Sequence, residues 1–315
     1  MDLRQVRYFL ETARQGSFTR AAAQLRIAQP AISMAIKRLE EELELTLFNR
    51  QDKRVTLTAE GEAFREHAVR LLADVTAAEQ EMADLRGLEK GQVRIGIPPM
   101  LSSYFFPRII RDFARRYPRL QLSVYGDGAG RIQQMLGQGE LDMGVIAGQN
   151  VLAGLEARHF LREEVIVCVP PGHPFTQRSA VSFADFIREQ LVFYQEGYHL
   201  RELLLDKLKG SGAEPRIIFE TNLFSLVKSL VREGMGISTF LRMVVAGDED
   251  LVAIPFDPPL HLDLVIAWKQ GAYLSRANRA FVDFLLEQSA GYGATEPTDC
   301  LPPSSCHTTP TDFSA

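Results

Sequence analysis

Apolar residues recur at helical spacing from the start of the chain. Leu3, Val6, Phe9, Leu10 and Ala13 share one face and predict a helix over residues 2–15, stopped by Gly16. Ser17 is placed to cap a short second helix carrying Ala21, Ala22, Ala23 and Leu25, and residues 26–28 turn the chain. Pro30 falls in the first turn of a third helix, where its missing N–H costs nothing, with Ile32, Ile36, Leu39 and Leu43 facing inward. A short β run at Val55, Thr56 and Leu57 precedes a long helix predicted over 58–88. The apolar residues of that helix, Phe64, Ala68, Leu71, Val75, Ala78, Met82 and Leu85, alternate steps of four and three. Such a heptad seam is too narrow to bury itself and predicts a partner helix, hence a coiled-coil dimer. Gly87 and Gly91 bracket a hinge.

Beyond residue 92 the period changes. Strand-like runs at 93–97, 120–125, 141–147, 164–170, 191–194, 216–219, 251–255 and 262–268 alternate with helical patterns, such as 107–117 with Ile109, Ile110, Phe113 and Tyr117. Apolar, β-branched strands separated by helices predict mostly parallel sheets, here arranged as two α/β lobes. No internal repeat of fixed period is present. Residues 290–315 are rich in Gly, Pro, Ser and Thr, lack apolar periodicity and read as a disordered tail.

The strongest chemical signal lies in residues 17–38. Two helices joined by a three-residue turn make a helix-turn-helix, whose second helix fits the DNA major groove. Its outer face carries Gln29, Pro30, Ser33, Met34, Lys37 and Arg38. Gln29 matches adenine and Ser33 either base, whereas Lys37 and Arg38 suit phosphates. Ser17, Thr19 and Arg20, at the start of the preceding helix, are counted with them. Arg50, Lys53 and Arg54 cluster around a turn beside the β run, as a basic wing would.

Charge supports this division. The formal net charge is −5, but residues 1–58 hold ten cations and seven anions, a basic head of +3 on a body of −8. Three scattered cysteines form no disulfide framework, and Cys168 sits within an apolar strand and reads as core. Cys300, Cys306 and His307 match no zinc spacing, so neither a metal nor any other cofactor is expected. The opening residues lack a signal-peptide core and no stretch spans a membrane, which predicts a cytoplasmic protein. No nucleophile elbow, phosphate loop or HExxH pair supports an enzyme. A transport-type solute-binding protein, or an enzymatic α/β domain without a DNA role, is the rival reading, and the first 88 residues argue against both.

Those first 88 residues closely resemble the DNA-binding region of LysR-type transcriptional regulators. The matching strings are LRQVRYFLETARQGSFTRAA, AQPAIS, KRLEEELELTLFNR and VTLTAEGE, in order and without gaps. Ala28 stands where the family often has Ser, leaving Gln29 as the expected cap of the recognition helix. Weaker strings, RIGI, GELDMGVIAG, PPGHPF and VREGMGIS, extend the resemblance over about 290 residues. The implied architecture combines α+β and α/β parts. A winged helix-turn-helix (1–58) is followed by a linker helix and hinge (59–91) and by an effector domain (92–289) similar to a periplasmic binding protein. Its first lobe is placed at 92–162 plus 269–289 and its second at 163–268, joined by two crossovers. The resemblance also implies double-stranded promoter DNA, RNA polymerase and further copies of the chain, as homodimer and homotetramer, for partners. The effector is expected at strand carboxyl ends between the lobes, near Pro99, Met100, Ser102, Ser103, Gly128, Ala147, Gln195, His199, Arg201 and Thr221. Hydroxyls and helix N-termini there favour a small carboxylate.

Overall fold

The computed structural model of the chain describes residues 1–49, 55–85, 91–209 and 214–292. The head begins with α1 (Leu3–Gln15), entered through a reciprocal cap in which Asp2 accepts the Gln5 N–H and Gln5 accepts the Asp2 N–H. Gly16 closes it in the left-handed conformation. Ser17 caps α2 (Phe18–Leu25), and α3 (Gln29–Leu43) follows a tight turn. Val6, Phe9, Ala21, Ile32, Ile36, Leu39 and Leu47 form one fully buried core. Strands β1 (Phe48–Asn49) and β2 (Thr56–Leu57) pair antiparallel as a short ribbon.

The linker helix α4 (Ala59–Leu85) starts against that ribbon. Thr58 fixes the joint, its hydroxyl donating to the Thr46 carbonyl (2.7 Å) and accepting from the Gly61 N–H (2.9 Å). The predicted seam divides in two. Ala68 is fully buried in the head's core and Phe64 packs edge-on against Phe9 at 4.9 Å, so the first two seam residues serve the head rather than a partner. Spacing alone cannot say whose surface an apolar stripe covers, and here α1 covers it. Val75 is half-buried, while Leu71, Ala78 and Met82 stay exposed, Leu71 by 39% and Met82 by 50%. Leu85 is the last described residue of the helix, and Gly87 lies outside the described residues.

The body continues through β3 (Gly91–Ile97), α5 (Pro99–Tyr104), α6 (Phe106–Arg116), β4 (Leu120–Gly126), α7 (Ala129–Gln138) and β5 (Met143–Ala147). Then come β6 (Leu155–Val169), β7 (Val181–Ser182), α8 (Phe183–Arg188), β8 (Leu191–Phe193), α9 (His199–Leu208) and β9 (Ile217–Glu220). The last elements are α10 (Phe224–Arg232), β10 (Ser238–Leu241), α11 (Arg242–Val245), β11 (Val252–Lys269) and α12 (Arg276–Ser289). The main sheet runs β10-β6-β11-β5-β3-β4. Among the named strands of the body, β3 with β4 and β5, β7 with β11, and β8 with β9 are parallel; β6 with β10, and β11 with β6 and β5, are antiparallel. The expectation of mostly parallel sheets is thus corrected to a mixed sheet. Its cause is the pair β6 and β11, which run antiparallel along almost their whole length and carry the chain from one lobe to the other. The runs 251–255 and 262–268 are two ends of β11, and the run 164–170 is the far end of β6. Residues 264–267, assigned from sequence to the second lobe, pair with β5 of the first.

Two glycines seat α7 on the sheet. Gly96 and Gly144 are partners across β3 and β5. A Cβ on Gly144 would lie 2.4 Å from Ile132, and one on Gly96 2.7 Å from Leu141. Their absence lets α7 lie close on the sheet and brings its N-terminus to the end of β5. Among the described residues no helix is long and apolar enough to cross a membrane.

Candidate nucleic-acid interface and ligand cleft

Because Ile32, Ile36 and Leu39 are wholly inside, the opposite side of α3 faces solvent. Gln29, Pro30, Met34, Lys37 and Arg38 are exposed, Met34 by 57%, and Ser33 is half-buried at the edge. The N-cap of α3 is Ala28, with no side-chain cap, and Gln29 is its first helical residue. The expected Gln29 cap is corrected, since a side chain already inside the helix cannot reach the N2 and N3 amides that a cap serves. Lys37 lies 3.5 Å from Glu41 on a well-exposed pair. Ser17 is engaged at home, accepting the Arg20 N–H at 3.4 Å, and the Arg20 guanidinium is bonded to the Gln15 carbonyl. Thr19 is exposed. Arg50, Lys53 and Arg54 lie outside the described residues.

One residue that positions this surface went unread in the sequence. Glu40 accepts the backbone N–H groups of Leu47 (2.8 Å) and Phe48 (3.2 Å), holding the turn from α3 into the ribbon. In the run EEEL nothing in the spacing sets it apart from its neighbours. Glu40→Ala is expected to destabilise the head by about 1–3 kcal/mol, because two backbone donors lose a charged acceptor. Urea unfolding followed by a probe in the head would show a lower midpoint; an unchanged midpoint would contradict the role.

The second feature is a cleft of about 50 Å³ between the lobes. The first lobe lines it with Pro98, Pro99, Met100 and Leu101 at the start of α5, Gly128 and Ala129 at the start of α7, and Ile146 and Ala147 closing β5. The second lobe adds Tyr198, His199 and Leu200 at the start of α9, together with Leu241, and β11 crosses with Leu262 and Leu264. Of the expected effector residues, Pro99, Met100, Gly128, Ala147 and His199 meet here. Ser102 and Ser103 do not line the cleft: both sit inside α5 and donate their hydroxyls to the Pro99 carbonyl at 2.9 and 3.0 Å. Neither caps the helix, because Pro98 holds the N-cap position. Arg201 is paired with Glu220 and donates to the Tyr194 carbonyl at 2.7 Å. Gln195 and Thr221 also lie off the lining: the Gln195 backbone N–H donates to Asn222 Oδ1, and the Thr221 hydroxyl accepts from the Leu223 N–H.

The polar groups at the cleft are few and directional. α7 and α9, ten residues each, both start on its wall, and neither has a side-chain cap. Uncapped first turns leave backbone N–H groups and the positive ends of two helix dipoles near one space. His199 Nε2 is buried and has no hydrogen-bond partner among the described residues. Burial holds the imidazole below its ordinary pKa, against the opposing pull of Glu202 and Asp206, so it is neutral at neutral pH. Burial likewise raises the Tyr198 phenol, which stays protonated. The lobes also touch beside the cleft. Lys228 of α10 reaches the Tyr104 hydroxyl of α5 (3.1 Å), the Val244 carbonyl (2.6 Å) and Asp248 (3.0 Å). Cys168 is fully buried in β6, and burial pushes its thiol up to about 12, which keeps it protonated and inert.

The model described as bacterial regulatory helix-turn-helix protein, lysR family, matches residues 3–62, and the LysR substrate binding domain matches residues 86–290. The chain is 33% identical over 289 residues to the uncharacterized HTH-type transcriptional regulator YwbI of Bacillus subtilis, covering 90% of this chain and 95% of that one. It is 29% identical over 294 residues to the RuBisCO operon transcriptional regulator of Allochromatium vinosum, covering 92% and 97%. Among solved structures, a full-length OxyR variant of Pseudomonas aeruginosa superposes with TM-score 0.71 at 24% identity over 90% of this chain and 94% of that one. Full-length CbnR complexed with its target DNA gives TM-score 0.67 at 22% identity over 92% and 100%. At such identities these two speak for the fold alone.

Proposed function

The chain belongs to the LysR-type transcriptional regulators, with a DNA-binding helix-turn-helix and an effector-binding domain, and from that premise we propose that a small organic acid held between its lobes sets how a dimer of heads grips a promoter. Its family and relatives are regulators, not enzymes. The observation that carries the acid is the convergence of two uncapped helix N-termini and the unpartnered His199 Nε2 on one otherwise apolar cleft. Backbone amides at helix starts take anions, and the apolar remainder takes a short hydrocarbon body. The cleft is narrow, with a volume of about 50 Å³, so the acid is small.

Filling the space would press on Pro99 and Met100, which begin the same short helix that carries Tyr104 to Lys228. Ligand contact and lobe contact are thereby linked, and lobe closure would change the spacing of the heads and the bend in the DNA. RNA polymerase is the partner we assign to read that change. Thermal shift of the full-length protein with acetate, propionate and pyruvate, each against its amide, tests the reading. Stabilisation by an acid and not by its amide is expected. Equal response to acid and amide, or none to any, would sink it.

Two further outcomes follow from the same groups. A carboxylate at Nε2 favours the imidazolium, so acid affinity is expected to rise as pH falls from about 8 to about 6. Without ligand the sign reverses: His199 is held neutral in the fold, so stability is lost as pH falls through the ordinary imidazole value. Calorimetry should find the affinity trend in the parent and a flat profile in His199→Gln. For the dimer, Leu71→Asp places a charge on the exposed part of the α4 seam. Gel filtration is expected to show monomer at micromolar concentration with the head still folded, and an unchanged elution volume would refute pairing through α4.

A further inference from the structure

A hollow larger than the interlobe cleft lies between the linker helix and the first lobe. It holds about 340 Å³, several times the interlobe cleft. One wall is α4, through Asp74, Ala77 and Glu81; the other is the end of β11 and the start of α12, through Trp268, Lys269 and Asn278. The space is polar. Asn278 is only 2% exposed, and its Oδ1 has no hydrogen-bond partner among the described residues. A buried acceptor left empty in this way calls for a donor from outside the chain.

The charges around the cavity choose the class of donor. Arg94 also lines it, but Asp142 already neutralises it, with 2.7 Å between the charged groups and a second bond to the Arg94 backbone N–H at 2.9 Å. Asp74 and Glu81 stand two turns apart on one face of α4, exposed and without ion-pair partners among the described residues. Among the described lining residues, Lys269 is the cation that opposes them. The balance is negative, the orphaned Asn278 oxygen is an acceptor, and Trp268 adds an aromatic surface. Each of these favours N–H groups that carry positive charge.

We propose that this cavity is a second ligand site, separate from the interlobe cleft, which takes a small organic cation such as an amine or guanidinium. Its occupant bridges α4 to the first lobe and lies beside the exposed seam, since Ala78 belongs to both. It fixes the angle between head and body directly, without passing through lobe closure.

The test uses full-length protein, with L-arginine and putrescine as probes and L-citrulline, the neutral counterpart of arginine, as control. Calorimetry is expected to show at least one probe binding, and citrulline binding at least about tenfold more weakly than arginine where arginine binds. The double variant Asp74→Asn with Glu81→Gln changes two exposed residues and is expected to fold normally while losing about tenfold or more in that affinity. Its response to small acids should match the parent, which separates this site from the interlobe one. Failure of both probes to bind, equal binding of citrulline and arginine, or cation binding untouched by the double variant would each overturn the proposal.

Discussion

Reversing Lys37 and Arg38 together to glutamate is expected to cost about two orders of magnitude or more in operator affinity near 0.15 M salt. Both side chains are exposed on the outer face of α3 and neither contributes to the core. The Lys37–Glu41 contact, at 3.5 Å between well-exposed groups, is worth little to stability. The helix should therefore persist while its electrostatic grip is lost. Each phosphate contact adds about 0.9 to the slope of log affinity against log salt, so removing two lowers that slope by about two. Fluorescence anisotropy from 50 to 300 mM salt reads both quantities, and circular dichroism checks the fold. Gln29→Ala and Ser33→Ala should behave differently, weakening binding at particular base pairs with little change of slope. If the double reversal left affinity and slope intact, α3 would not be the element that meets DNA.

The head was legible because its helices are short, local and periodic. Caps, stops and the inward stripe of α3 depend on neighbours a few residues away, and the chain displays those directly. Legibility failed where a pattern had two possible owners. Phe64 and Ala68 continue the seam of Leu71, Val75, Ala78 and Met82 without a break in spacing, yet they face α1. In the body the errors have a common origin in long-range pairing. β11 is one strand, but Pro258 and Pro259 and a change of polarity divide it in the sequence. In the outer half of β6, residues 156–159 are all exposed and the buried pair Phe160 and Leu161 is adjacent rather than alternating, so the segment carries no strand signature. β10 reads STFL, and its Ser238 and Thr239 are wholly buried, the reverse of what polarity predicts.

The same cause limited the reading of the cleft. Strand ends and helix starts announced Pro99, Met100, Gly128, Ala147 and His199. Leu241, Leu262 and Leu264 reach the cleft only because β6 and β11 run together, which aligns residues about a hundred positions apart, as Leu264 with Leu161. Ser102 and Ser103 misled in the opposite sense. Their chemistry suits an anion, but one turn of helix places the Pro99 carbonyl within reach of both, and a local acceptor wins over a distant ligand.

The joint between head and linker supplies the second large effect. Gly61→Ala is expected to destabilise the head by about 2–4 kcal/mol and to weaken DNA binding by about tenfold or more. A Cβ at Gly61 would stand 2.1 Å from the Leu47 carbonyl oxygen and 3.0 Å from a Leu57 methyl. The first contact is with backbone, so no rotamer change relieves it, and α4 must move away from the ribbon. That carbonyl also accepts the Thr58 N–H at 3.1 Å, so the start of α4 moves with it. Since α4 carries the exposed seam, its displacement changes the separation of two heads on one DNA. Gly137→Ala provides the comparison. It lies within α7 with nothing closer than 4 Å to the added carbon, so the same chemical change is expected to stabilise by about 0.4–1 kcal/mol. Thermal unfolding of both variants, with anisotropy on the operator, should find opposite signs of stability change and a DNA defect in Gly61→Ala alone. Equal behaviour of the two would mean that the close approach of α4 to the Leu47 carbonyl does not set the geometry of the head.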